Sequence, residues 1–494
     1  TNLFTSRCSN ACPANVQVPG FVSLVGEKRF DEALRLHRER NPLASICGRV
    51  CFHPCESKCQ RSALDEPVSI RGLKRFMTEQ ETEPQLPTVL KNDENVERKV
   101  AVIGSGPAGL SCAYFLARLG YRPIMFEKEA SPGGMLVQGI PAYRLPREEL
   151  GREVSLIESL GVKIETGKEL GRDFTLKGLR EVGYEAVFLG VGAPKGVRLG
   201  LPGEDGPGVS DALAFLREHN VNGTVAVGDE VVVIGGGNAA IDAARTARRL
   251  GAKHVMILYR RQRAEMPAWG EEIDAADPEG VEIVPLLAPR KVLRDPQGKV
   301  VGVLCQQMVL GDYDESGRRS PAEDQSPEFT VPCDQVIAAI GQSLDTEAIL
   351  GGLPVNSRKG WIEVERATGS TSVEWIFAGG DAATGPASVV QAIGAGERAA
   401  VAIDRYLTGA DHAFWRKDAV LDTYFDPEAD PVETARAVTV CLDPATRACS
   451  FAEVERPWDL EVAVAEAKRC LRCDYGKCSD VSAENQGEMT PCQS

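Results

Sequence analysis

The chain has 494 residues, enough for about three domains at roughly 150 residues each, and 43% of them are hydrophobic, so a sizeable core can be buried. A net charge of −15 argues against a nucleic-acid partner, because affinity for a phosphate backbone needs clustered Lys and Arg. No apolar run reaches the ~18 residues a membrane span requires, no signal peptide is visible, and a cytoplasmic location is expected.

Residues 1–95 read as short helices carrying cysteines, among them an amphipathic stretch Phe21–Arg40 and a second at Ile70–Glu81. Of the 15 cysteines, six fall here: Cys8, Cys12, Cys47, Cys51, Cys55 and Cys59. Four more close the chain, Cys470, Cys473, Cys478 and Cys492, whereas only Cys112, Cys305 and Cys333 lie between Cys59 and Cys441. Structural disulfides are rare in the cytosol, so the terminal groups read as metal or cluster ligands. The x3-spaced run Cys47 to Cys59, preceded by Cys8-Ser-Asn-Ala-Cys12-Pro, suits iron–sulfur clusters, whose soft irons prefer thiolates. Zinc is the alternative, though few structural zinc sites use this spacing.

A polar linker with Pro84 and Pro87 follows, and from Arg98 the texture alternates between strand and helix. Predicted strands are Lys99–Ile103, Arg122–Phe126, Val187–Val191, Glu230–Ile234, His254–Tyr259 and Gln335–Ile340, the pattern of an α/β chain with parallel sheets.

Two glycine fingerprints sit on this frame. The first, Gly104-Ser-Gly106-Pro107-Ala108-Gly109, joins a strand to a helix. Gly104 permits the tight turn, Gly106 lets backbone approach a pyrophosphate, and Gly109 allows close helix–strand packing. The helix N-terminus then faces the phosphates with its N–H groups and dipole. Glu127 ends the next strand, where an acid binds ribose hydroxyls, and Lys128 adjoins it. The second fingerprint, Gly235-Gly-Gly237-Asn238-Ala239-Ala240, has the same context with alanine as third member. Its following strand ends in Tyr259-Arg260-Arg261. An arginine there accommodates a 2′-phosphate, which favours NADP(H) and leaves NAD(H) as the alternative; the blander reading makes both arginines solvated surface charges.

Two such units, with the motifs between and after them, resemble the flavoproteins typified by the small subunit of glutamate synthase and the electron-transfer module of dihydropyrimidine dehydrogenase. Ser131-Pro-Gly133-Gly134-Met135-Leu136, continued by Gly139-Ile-Pro-Ala-Tyr143-Arg144, resembles the stretch that wraps the flavin. Gly190-Val-Gly192 and Ala338-Ala-Ile-Gly341-Gln342 resemble the crossovers into and out of the second unit. Phe377-Ala-Gly-Gly380-Asp381 resembles the motif whose acid meets the FAD ribityl chain, with the next helix aimed at the flavin by Ser388, Val389 and Val390.

The resemblance implies an α/β fold in which an FAD unit (96–195 and 342–410) carries an inserted NAD(P) unit (196–341). An N-terminal α-helical iron–sulfur domain (1–95) and a C-terminal extension with a cysteine-rich tail (411–494) complete it. It also implies one or two [4Fe–4S] clusters. Cys12, Cys51, Cys55 and Cys59 match the ligands of one, with Cys47 as a buried thiol. The relatives' further N-terminal cysteines are missing here, but Glu466-Ala-Lys-Arg-Cys470-Leu-Arg-Cys473, running on to Cys478, repeats their CxxC-x4-C pattern at the other end. Those three thiols either join Cys8 around a second cluster or form a site completed by Cys492 or a partner.

No CxxC occurs between residues 60 and 469, which argues against dithiol–disulfide exchange, and the five His residues are scattered, so no catalytic side chain is assigned. The cofactors carry the chemistry and the protein aligns them. The expected function is an NAD(P)H-linked iron–sulfur flavoprotein that passes electrons to or from a redox partner subunit or a ferredoxin-like acceptor. Alternatives are a glutamate synthase small subunit, a diaphorase-like subunit of a hydrogenase, formate dehydrogenase or electron-bifurcating complex, and a non-catalytic assembly or relay subunit.

Overall fold

The structure is a computed structural model and describes residues 6–314, 317–417, 419, 421–426 and 428–475. Backbone contacts divide it into two units, one running up to Thr88 and including His412–Thr439 and the chain from Pro457, the other made of Val89–Asp411 and Val440–Arg456. The C-terminal residues are thus shared between the two.

The first unit opens with five short helices: α1 (Arg7–Ala11), α2 (Val18–Gly26), α3 (Phe30–Arg38), α4 (Ala44–Val50) and α5 (Ile70–Glu79). The stretch expected as one amphipathic helix is two, because Lys28 takes a left-handed φ of 61°. Arg29 bridges the break, pairing with Glu27 at 3.0 Å and Glu32 at 2.7 Å. Phe21, Leu24, Leu34, Ile46, Leu73 and Phe76 form the interior. Helices α4 and α5 meet backbone to backbone, since a Cβ on Gly48 would stand 2.8 Å from the Arg75 Cα.

The second unit holds two parallel sheets. In the first, β1 (Val100–Ile103) leads into α6 (Pro107–Arg118), followed by β2 (Ile124–Phe126), β3 (Lys163–Glu165) and β4 (Ala186–Leu189). The chain then builds a second sheet from β5 (Val209–Asp211), β6 (Glu230–Ile234), β7 (His254–Tyr259), β8 (Val281–Pro285) and β9 (Gln335–Ala338), with α7 (Asn238–Arg249) after β6. It returns through β10 (Ile376–Ala378) and α8 (Val389–Thr408) to complete the first. The orders are β10-β4-β1-β2-β3 and β5-β9-β6-β7-β8, all neighbours parallel. Val231, Val232 and Val233 are fully buried, as expected of a strand covered on both faces. The α/β class read from the sequence is therefore borne out. A four-stranded antiparallel insertion between β8 and β9, centred on Val300–Tyr313, was not anticipated.

A last helix, α9 (Leu460–Lys468), belongs to the first unit and packs on α2, with Gly26 facing Ala467. Among the described residues no helix is long and apolar enough to cross a membrane.

Candidate functional site

The first glycine loop is shaped by steric necessity. Gly104 has φ of 93°, and a Cβ there would stand 2.6 Å from the Gly190 carbonyl oxygen; a Cβ on Gly109 would collide with the Gly104 carbonyl. Gly106 differs: a Cβ there meets nothing within 4 Å, so its side opens to free space. Pro107 starts α6 with no side chain capping the N-terminus, which leaves the first-turn N–H groups of the Pro107-Ala108-Gly109 turn for an anion. Gly134, at φ of 55°, closes on Gly106 from the other side.

Glu127 is buried behind the loop. Its carboxylate accepts from the Ser105 amide at 2.8 Å and hydroxyl at 2.5 Å, and from the Glu129 amide at 2.9 Å. The Ser105 oxygen in turn accepts from the Gly133 amide at 3.0 Å. Ser105 was missed in the sequence, where a residue between two glycines carries no signal of its own. Lys128 stays near Glu129, 3.8 Å away. Met135 opens a short helix whose next residue, Leu136, is buried.

Helix α8 runs parallel to α6. Ser111 donates to the Ile393 carbonyl at 2.8 Å and Tyr121 to Asp404 at 2.9 Å, while a Cβ on Gly396 would strike the Ala108 carbonyl. The two N-termini therefore point the same way. Ser388 caps α8 through a reciprocal box with Gln391, ahead of Val389 and the buried Val390. Gly380, at φ of 64°, lies against Ala108. Asp381 follows, accepting from the Ala387 amide at 3.0 Å, and burial pushes its carboxyl up to about 6.

The second loop repeats the logic. Gly235 cannot carry a Cβ because of the Ala339 carbonyl, and Gly236 lies under the Tyr259 ring, but Gly237 faces open space. Helix α7 begins uncapped at Asn238, whose side chain accepts from the Trp269 amide at 3.0 Å. Ala239 is half-buried and Ala240 fully buried. The two arginines after β7 part company. Arg260 is exposed. Arg261 is buried, bonded to Asp314 at 2.6 Å and to the Arg319 carbonyl at 2.7 Å. Arg144 is likewise occupied, by Asp242 at 2.8 Å and Glu272 at 3.0 Å. Gly192 and Gly341 hold left-handed φ at the two crossovers.

Residues 98–396 match the pyridine nucleotide-disulphide oxidoreductase family, and residues 3–86 match dihydropyrimidine dehydrogenase domain II, 4Fe-4S cluster. The chain belongs to the pyridine nucleotide-disulphide oxidoreductase family. It resembles the beta subunit of the NADP(+)-dependent formate dehydrogenase of Moorella thermoacetica, with 40% identity over 95% of this chain and 70% of that protein. The beta subunit of the NADPH-Fe(3+) oxidoreductase of Geobacter sulfurreducens is 38% identical over 95% of the chain and 75% of its own length. The small chain of the Escherichia coli NADPH glutamate synthase is 35% identical over 81% and 88%. Among solved structures, Mycobacterium tuberculosis FprA in complex with NADPH superposes with a TM-score of 0.54, at 19% identity over 63% of this chain and 85% of that one, which shows the fold.

As a member of this family fused to a 4Fe-4S domain, the chain is an oxidoreductase that uses FAD, a nicotinamide dinucleotide and 4Fe-4S chemistry. The loops fit the first two: both present a glycine whose missing Cβ leaves room for a pyrophosphate before an uncapped helix.

The cysteines sort differently from the sequence grouping. Cys59 does not lie with Cys12, Cys51 and Cys55; it lines one small cavity with Cys8, Cys470 and Cys473. The reason is local. Residues 51–59 are not a helix, since Cys51 is extended, His53 has φ of 33°, and a single 3-10 turn, Glu56–Lys58, ends in an extended Cys59. The tail is tied to this region by Arg469, which bonds Asp65 at 2.9 Å and Glu466 at 2.8 Å, and by Arg61, which donates to the Arg469 carbonyl at 2.8 Å. Glu466 also accepts from the Ser69 amide at 2.7 Å. The Glu-Ala-Lys-Arg lead-in noticed in the sequence is thus the tether of the tail. Burial pushes the Cys8 thiol up to about 11 and raises Cys470 as well, so charged thiolates there require a positive group beside them. Cys51, Cys47, Cys55 and Cys12 instead interact electrostatically with the buried Lys74. Among the described residues no three His, Cys, Asp or Glu groups converge closely enough for a single metal ion. Cys478 lies outside the described residues.

Proposed function

We propose that this chain is the nicotinamide-facing subunit of a larger cytoplasmic redox complex, exchanging electrons between NADP(H) and a partner subunit or a ferredoxin-like acceptor. The observation that carries the reading is the presence in one chain of two open dinucleotide loops and two separate groups of thiols. Bound FAD supplies the chemistry that joins them, taking two electrons as hydride and releasing them singly. The relatives named as NADPH oxidoreductase and NADP-dependent formate dehydrogenase subunits support the same role.

In this reading the Gly104–Gly109 turn holds the FAD pyrophosphate, Glu127 the ribose, and Asp381 the ribityl chain. The α8 N-terminus at Ser388, Val389 and Val390 turns its dipole to the flavin ring, where it favours negative charge. The Gly235–Ala240 turn holds the nicotinamide dinucleotide, and Arg260 pairs with its 2′-phosphate. Arg261 and Arg144 brace the second Rossmann unit. Cys8, Cys59, Cys470 and Cys473 hold one [4Fe–4S] cluster, and Cys12, Cys51 and Cys55 supply thiolates to the other.

The test is iron, FAD and EPR analysis of the anaerobically purified chain with Cys59→Ser and Cys470→Ser, singly and together. Each single variant should lose the same cluster, and the double variant no more. Iron should fall from about eight to about four per chain, with FAD retained. Additive loss in the double variant would show that the two thiols serve different clusters.

A further inference from the structure

Cys47 has no role in the assignment above, yet it is fully buried at the last turn of α4, while Cys51 and Cys55 are 6% and 5% exposed. It stands four residues before Cys51, the C-cap residue of α4, about one helical turn away, and the two thiols interact electrostatically. The close approach of α4 to α5 at Gly48 leaves no side chain between the two backbones. The same helix α5 carries Lys74, only 6% exposed, which interacts electrostatically with Cys51, Cys47, Cys55 and Cys12.

A second feature points the same way. His37 on α3 is completely buried, and neither ring nitrogen has a hydrogen-bond partner. Phe21 packs against its ring at 5.3 Å, and Lys74 is a charged neighbour. A buried imidazole left unsatisfied is costly, unless a group that accepts hydrogen bonds fills the space beside it. The sulfides and thiolates of a cluster are such acceptors.

We infer that Cys47 is the fourth thiolate of the cluster held by Cys12, Cys51 and Cys55, and that Lys74 is a fixed positive charge that raises this cluster's reduction potential. The inference rests on the iron–sulfur reading above. A cluster on four thiolates is net negative, and reduction adds one electron without making or breaking a bond. A buried cation in contact with it stabilises the reduced form most.

The experiment uses the full-length chain, purified anaerobically, with iron and sulfide analysis and EPR-monitored redox titration. Cys47→Ser and Cys47→Ala should lose or alter the spectrum of one cluster while FAD and the other cluster's signal persist. Lys74→Met should keep both clusters but move one midpoint potential downward, and Lys74→Arg should return it toward the wild-type value. A Cys47 variant with both spectra unchanged, or with both clusters lost alike, overturns the ligand assignment. Unmoved potentials in Lys74→Met overturn the role of the charge. A wild-type chain that binds no iron would instead sink the iron–sulfur reading itself, so the two failures are distinct.

Discussion

Arg144 meets Asp242 at 2.8 Å, with its Nε 3.0 Å from Glu272. The pair ties the stretch after the first glycine loop to α7, the helix that opens at the second. Around it, Arg249 lies 3.8 Å from the centre of the Tyr143 ring and pairs with Glu279 at 2.5 Å. Removing Arg144 takes from the buried Asp242 its ion-pair partner, while Glu272 keeps Arg245. Arg144→Met should therefore destabilise the chain by about 3–5 kcal/mol, read as a lower denaturant midpoint for flavin release. The double variant Arg144→Met with Asp242→Leu should recover part of the loss. An unchanged midpoint in the single variant would contradict the bracing role.

The glycines of the first loop separate into two kinds. Gly106→Ala places its Cβ in open space and should fold normally, but hold FAD weakly, because the methyl occupies the approach to the pyrophosphate. Gly109→Ala forces Cβ onto the Gly104 carbonyl and should lower thermal stability by several degrees, with or without flavin. Circular dichroism and FAD content measured together decide this; equal FAD affinity in Gly106→Ala and wild type would misplace the site.

Cofactor choice should follow one arginine. Arg260→Ala should weaken NADPH by roughly 1.5–3 kcal/mol, the scale of hydrogen bonds to charged groups, and change NADH little. Arg261→Ala should instead destabilise the antiparallel insertion, because it releases Asp314 and the Arg319 carbonyl. Binding titrations with both nucleotides test it, and a wild-type preference for NADH would refute the assignment.

Asp381 supplies a pH signature. Burial raises its folded pKa to about 6, against ~3.9 when unfolded. The native state holds the proton more tightly, so the contribution to stability is full at low pH and is lost as pH rises from about 4 to 6. Asp381→Asn cannot titrate and should lose less stability across that window, by on the order of 1–2 kcal/mol. Melting curves of the FAD-free chain at several pH values measure the difference, and parallel pH profiles would contradict it.

The Rossmann units were legible because their determinants are local. A glycine at φ of 93° or 145° and a strand of buried valines leave a mark in a few consecutive residues. Arg260 and Arg261 are adjacent and chemically alike, so only the partner Asp314, brought in by the insertion, tells them apart. Among the cysteines, Cys59 is the one whose place local sequence could not give. The family resemblance set Cys59 with Cys51 and Cys55, whereas the turn at His53 and the 3-10 turn before Cys59 bring it to the cavity of Cys8, Cys470 and Cys473. Only packing between distant segments, Arg61 with Arg469 above all, reveals that Cys59 and Cys470 share a cavity.

The most direct test of the account is an anaerobic titration of the purified chain with NADPH, followed by flavin absorbance and EPR on the same samples. NADPH should bleach the flavin and bring up the signals of reduced clusters in the one preparation. Flavin that NADPH cannot bleach, or a bleached flavin whose electrons never reach an iron–sulfur signal, would contradict it.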